Sequence, residues 1–310
     1  MIGISEVERD TGLSKDTLRM WERRYGFPAP TRDRFGERLY DALQLEKLHI
    51  IKRLLDAGQR PGKLMSMTTK ELQDALRAGQ ESNDPQTVRE PPFADALDLL
   101  RAHDGAALEL HLGQLLLRQG LQQFVLSTVA PLTRAVGDGW MRGNVAIYEE
   151  HLYTEQIQNV LRSAIQNLPR RNDSPRVLLT TLPQEQHGLG LLMVETLLAA
   201  EQVPCVALGT RMPLQDIAAA ARAHRADIVA LSFSAGFPVR AATSAIAELR
   251  DQLGASVSIW VGGSMVLRLK QAPDGVRRIA ALEGVIAALQ SWRSDHGEPG
   301  AHMTPGLAPG

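Results

Sequence analysis

The chain is 310 residues long, carries a formal net charge of −1 and is 44% apolar and 22% charged, which leaves room for two or three separately cored globular domains and excludes a polyelectrolyte that binds partners through bulk charge. Its one cysteine, Cys205 in the apolar run VPCVAL, excludes an internal disulfide framework and fits a reducing compartment. No apolar run reaches the about 18 residues needed to span a bilayer and the first residues lack a basic-then-apolar leader, so a cytoplasmic protein with no membrane partner is expected.

The first region, 1–72, is dense in Arg, Glu and Leu. ISEVERDTGLSKDTLRMWERRYG (4–26) has the layout of a helix-turn-helix. A first helix from about Ile4 to Asp10 turns Ile4 and Val7 inward, Gly12 makes the turn, Leu13 buries against it, and Ser14 caps the second helix with Thr17 three residues on. That second helix packs Leu18, Trp21 and Tyr25 and presents Lys15, Thr17, Arg19, Arg23 and Arg24. Between Arg19 and Arg38 stand six arginines against three acids, so the stretch is locally basic in a chain that is not. A turn at Gly36, flanked by Arg32, Arg34 and Arg38 and ending at Tyr40, suits a hairpin wing whose basic residues and tyrosine hydroxyl touch phosphates. A long helix from Ala42 to about Gly58 follows.

Residues 73–92 read as a linker, centred on QESNDPQTVREPP (80–92) with its three prolines. Over 93–169 the apolar residues recur at helical spacing, with breaks near Asp104–Gly105, Gln119–Gly120 and Gly139–Asn144 that divide it into four or five helices and predict a small bundle of the four-helix kind. In it lies WMRGNVAIYEEH, with Trp140, nine intervening residues, then Glu150 and His151. By pattern alone Trp140 is core and Glu150–His151 a solvated helix start.

After PRRNDSP (169–175) the texture changes, and 170–295 alternates short β-type runs with longer amphipathic ones. Strands are predicted at 177–182, 203–208, 227–233 and 257–263, and helices at 188–202, 213–224, 239–253 and 282–292. That alternation describes a Rossmann-like (flavodoxin-like) open parallel α/β sheet, in which ligands sit beyond the carboxyl ends of the strands. Three features fall there: Glu185-x-His187-Gly188-x-Gly190 after the first strand, Ser232-Phe233-Ser234 after the third, and Gly262-Gly263 after the fourth. An imidazole used as a metal ligand needs an acceptor on its other nitrogen, and Glu185 is close enough in sequence to be one for His187. The small residues leave a slot for a long flat ligand. The tail, 296–310, contains nothing to bury and is expected to be disordered.

Residues 2–70, through LRMWERRYGFPAP, GERLYD and the long helix in that order, closely resemble the MerR family of transcriptional regulators. The resemblance implies dimeric binding to spaced inverted half-sites in operator DNA, with Lys15, Thr17 and Arg19 facing bases or phosphates and Arg23, Arg24, Arg38 and Tyr40 holding the backbone. Residues 174–292 resemble the cobalamin-binding module of methionine synthase and related mutases. There a DxHxxG histidine replaces the cofactor's own base on cobalt, and the displaced tail threads past SxS and GG elements. Glu185 stands where the acid is more commonly Asp, a longer arm of the same chemistry.

With the Trp-x9-Glu-His segment upstream, the three-part order is similar to the CarH/LitR group of MerR-type photoreceptor repressors. That likeness implies adenosylcobalamin as chromophore, held on cobalt by His187, with Trp140 over the adenosyl group and Glu150 and His151 lining its pocket. It further implies no enzymatic turnover: a dark homotetramer holds DNA, and light breaks the cobalt–carbon bond and releases it. One departure stands out. The residue after the tryptophan, a histidine that binds cobalt after light in such proteins, is here Met141. His151 is one substitute, and a reversible response or a report of cobalamin supply are others. A corrinoid methyl carrier serving a methyltransferase would share the sheet and bundle but not the winged helix.

Overall fold

The computed structural model describes residues 1–33, 35–56, 58–78, 93–169, 175–269 and 275–296. Arg34, the 80–92 stretch and the tail from 297 onward lie outside the described residues. The chain divides into two compact units: one comprises Met1–Leu112, Thr128–Ile157 and Ser234–Phe237, the other Gly113–Ser127, Gln158–Phe233 and Pro238 onward.

The first unit begins with β1 (Ile2–Gly3), α1 (Ile4–Thr11), α2 (Lys15–Tyr25), β2 (Thr31–Arg32) and β3 (Arg38–Tyr40), followed by α3 (Ala42–Asp56), α4 (Pro61–Met65) and α5 (Thr69–Ala78). The expected turn is present: Gly12 takes a left-handed φ of 69° and donates to Glu8 O at 2.9 Å, ending α1. Ser14 then accepts from the Thr17 amide at 3.2 Å and starts α2. The strands form an antiparallel sheet in the order β1-β3-β2, with Ile2 opposite Tyr40 and Arg32 opposite Arg38. Val7, Leu18, Trp21, Tyr40, Leu48 and Ile51 form the centre of this core. A capping box of Thr68 and Glu71 starts α5, which runs on to Ala78 through the beginning of the stretch read as linker.

Next come α6 (Ala94–Arg101), α7 (Gly105–Gln119), α8 (Leu121–Phe124), a π turn over Val125–Val129, α9 (Ala130–Arg142) and α10 (Ile147–Gln166). The breaks fall where the sequence placed them. Gly120 and Gly143 carry φ of 75° and 77°, angles that a side chain disfavours.

In the second unit β4 (Val177–Thr180), β5 (Cys205–Gly209), β6 (Ile228–Ser232), β7 (Ser258–Gly262) and β8 (Val276–Ile279) form one parallel sheet in the order β5-β4-β6-β7-β8. Helices α11 (Leu189–Ala200), α12 (Leu214–Ala223) and α13 (Val239–Leu253) make the crossovers from β4 through to β7, and α14 (Gly284–Asp295) follows β8. The order reverses between β4 and β6, the switch point at which a doubly wound sheet opens a crevice at its carboxyl edge. Strand β8, VRRI, is not among the predicted strands; two arginines in four residues depart from the apolar runs that mark the other four. Its arginines are accommodated at the edge: Arg277 donates to Ala288 O and Ser291 Oγ, both at 2.7 Å, and Arg278 to Leu269 O.

Candidate functional site

At the switch point the chain leaves β4 through Thr181 and returns toward α11 through Glu185, His187 and Gly190. Thr181 is buried; its hydroxyl donates to Glu185 O at 2.6 Å and accepts from the Arg211 amide at 2.9 Å. Arg211 also donates to the Gln186 side chain at 2.6 Å, so the loop after β5 pins the loop after β4. Sequence reading missed Thr181 and Arg211, since nothing in local spacing shows a contact 30 residues apart.

The Glu185 side chain is 1% exposed, an environment in which a carboxylate needs strong donors. It has two from one residue. Its Oε1 accepts from the His187 amide at 3.0 Å and from His187 Nδ1 at 2.6 Å. A carboxylate can only accept, so the proton sits on Nδ1 and the Nε2 lone pair is left available. The imidazole is 48% exposed, held by its inner nitrogen and open at its outer one. That is the arrangement a single-histidine metal ligand requires.

The other strand-end features lie along the same carboxyl edge of the sheet. β6 neighbours β4 on one side and β7 on the other, with Ser232 opposite Gly262 in register. A Cβ on Gly190 would lie 3.1 Å from Ser232 Oγ, and one on Gly188 3.1 Å from the Thr210 methyl, so both positions are tightly packed. Gly263 is stricter. Its φ is 92° and a Cβ there would fall 2.2 Å from Phe233 O, which no relaxation of side chains relieves. Ser234, two residues past the end of β6, belongs to the segment grouped with the first unit.

Trp140, Glu150 and His151 all lie in the first unit. Trp140 is half-buried near the end of α9; the guanidinium of Arg53, from α3, sits 5.1 Å from its ring centroid. Glu150 accepts from Thr154 Oγ1 at 3.0 Å and pairs with His151 Nε2 at 3.6 Å, the histidine being 70% exposed. The Met141 side chain lies outside the described residues.

On the DNA-reading side, Arg19, Arg23, Arg24 and Arg32 are exposed. Lys15 is half-buried beside Glu8 at 3.7 Å, and the Thr17 and Ser14 hydroxyls share a hydrogen bond of 2.8 Å. Two expected phosphate contacts are engaged within the domain itself. Arg38 Nε donates to Glu22 Oε2 at 2.7 Å with both side chains about three-quarters covered, so it ties the wing to α2. Tyr40 is 0% exposed, its hydroxyl is shielded, and burial raises its phenol above the ordinary range. A side chain that reads as a surface tyrosine in a basic hairpin is claimed instead by the core between α1, α3 and β3.

Residues 3–70 match the family described as MerR HTH family regulatory protein, and residues 175–276 match the B12 binding domain. The HTH-type transcriptional repressor CarH of Myxococcus xanthus is 28% identical over 82% of this chain and 85% of its own length. CarA of the same organism, also a repressor, is 29% identical over 74% and 75%. Both relatives are transcriptional regulators rather than enzymes, in keeping with the expected absence of turnover. Among solved structures, the monomethylamine corrinoid protein of Methanosarcina barkeri aligns at a TM-score of 0.52 and 15% identity over 64% of this chain and 96% of its own, a likeness of fold. The chain therefore joins a MerR-type helix-turn-helix domain to a Rossmann-like B12-binding domain through a helical region.

Proposed function

We propose that this protein is a light-responsive transcriptional repressor that takes adenosylcobalamin as its chromophore, holds operator DNA as a dark oligomer and leaves it on illumination. The observation that carries the reading is the Glu185–His187 pair: a buried carboxylate at 2.6 Å fixes the imidazole by one nitrogen and leaves the other for cobalt. When bound, adenosylcobalamin would supply a cobalt–carbon bond that visible light breaks. His187 would hold the lower face, while Gly188, Gly190, Ser232, Gly262 and Gly263 keep the strand ends free of bulky side chains along the path of the cofactor's tail. Trp140, Glu150 and His151 would serve the adenosyl side. Arg19, Arg23, Arg24 and Arg32, exposed together, would meet the DNA. The repressor relatives support regulation over a methyl-carrier role, and the winged helix has no use in a methyl carrier.

A second reading, a repressor that reports cobalamin supply without light, is favoured by Met141 in place of the expected histidine. One experiment separates them. The purified chain is mixed with adenosylcobalamin in darkness, its absorbance spectrum is recorded, and operator binding is followed before and after green light. A histidine-bound spectrum, lost with His187→Ala, together with operator release on illumination is the expected result. Unchanged cobalamin uptake by His187→Ala overturns the site, and unchanged operator binding after photolysis leaves the supply sensor.

A further inference from the structure

The last turns of α3, in the DNA-binding domain, pack on α9 within the first unit. At that contact the Arg53 guanidinium lies over the Trp140 ring, 5.1 Å from its centroid. Its Nη1 also approaches the end of α9, 3.4 Å from where a Cβ on Gly143 would stand. Two attractions explain the placement: the negative face of the indole and the negative carbonyl end of a helix. Neither is a full counter-charge. No carboxylate pairs with Arg53 among the described residues, its Nε is shielded from solvent with no hydrogen-bond partner, and burial depresses its pKa. A cation in that position is held, but at the cost of part of its hydration.

A neutral aromatic group is a better occupant of the same ring face, because it stacks without surrendering a charge's hydration. We propose that Arg53 is a latch between the DNA-binding domain and the upper-face site: its guanidinium and the adenosyl group compete for the Trp140 ring, so that uptake of the adenosyl form frees α3 from α9. The proposal rests on the reading that Trp140 receives the adenosyl group. Since coupling is reciprocal, whatever factor the adenosyl group exerts on the α3–α9 contact, that contact exerts on adenosyl affinity. The latch also discriminates between cobalamins. A methyl group on cobalt cannot reach across to contest an indole face, so methylcobalamin leaves Arg53 in place.

The test uses the full chain in darkness with adenosylcobalamin and methylcobalamin as the two probes, comparing wild type with Arg53→Met, which keeps the apolar stem and removes the charge. The expected result is about fivefold tighter adenosylcobalamin binding, a factor in the range of one cation–π contact, with methylcobalamin affinity unchanged. A separate readout needs no cofactor: a double-mutant cycle of Arg53→Met and Trp140→Phe on the urea midpoint of the cofactor-free chain should show the two positions coupled. Equal shifts for both cobalamins, no shift for either, or additive stabilities in the cycle overturn the latch. If wild type takes up methylcobalamin and adenosylcobalamin normally and only the preference fails to change, the latch falls and the site reading stands. If His187→Ala binds as wild type does, the site reading falls, and the latch with it.

Discussion

His187 owes its orientation to a single oxygen. Glu185 Oε1 takes both the backbone amide and Nδ1 of the same residue, so the carboxylate fixes loop and ring together. Glu185→Gln keeps the shape but replaces a charge by a neutral acceptor, lowering the basicity of Nε2; cobalamin affinity should fall about 10- to 100-fold, read by absorbance titration. The glycines offer a paired prediction. Gly263→Ala places a carbon 2.2 Å from Phe233 O at a φ of 92° and should cost about 2–4 kcal/mol in urea unfolding. Gly262→Ala meets nothing nearer than Ile279 O at 3.6 Å and should cost well under half as much. In the sequence the two are identical neighbours. The backbone angle and the nearness of Phe233 O separate them.

At the level of elements, α2 and the wing carry arginines of two kinds. Arg23 is exposed on α2, whereas Arg38 bonds Glu22 and is three-quarters covered. Arg23→Ala should weaken operator binding and reduce the salt slope by about one. Arg38→Ala should cost about 1 kcal/mol of stability and leave that slope nearly unchanged, a contrast measured by binding at several salt concentrations. The helix starts supply a pH prediction. Asp41 accepts the Gln44 amide at 2.8 Å and Glu71 the Thr68 amide at 2.7 Å, and these bonds lower both carboxyl pKa values. A depressed folded pKa means that the stabilisation is complete above the ordinary carboxylate value of about 4 and is lost as pH falls below it. Acid unfolding should therefore be shallower in Asp41→Asn and Glu71→Gln than in the wild type. The caps were legible as Ser14 and a turn glycine, since capping is a matter of three or four residues. Strand β8 was not, since an edge strand can keep its arginines by laying one on the following helix and bonding the other to a carbonyl of the preceding loop.

For the whole molecule, the expected behaviour is a chain whose hold on DNA depends on what occupies a sheet edge far along the sequence. Gel filtration of the cobalamin-loaded chain in darkness and after green light should show a larger species converting to a smaller one, with operator affinity falling in step; identical elution in both states would remove the oligomer from the proposal. The sequence by itself determined four of the five strands of the parallel sheet with the helices around them, the turn at Gly12, the histidine with its acid and the small residues at the strand ends. Each is a local pattern of period, cap or spacing, written within a dozen residues. Tertiary structure decided the rest: that the sheet reverses between β4 and β6 and so sets Ser232 beside Gly190, that Tyr40 and Arg38 turn inward, and that Arg53 comes to lie on Trp140. These are pairings between residues far apart in the chain, and they follow from which surfaces meet when the core closes, which no local pattern records.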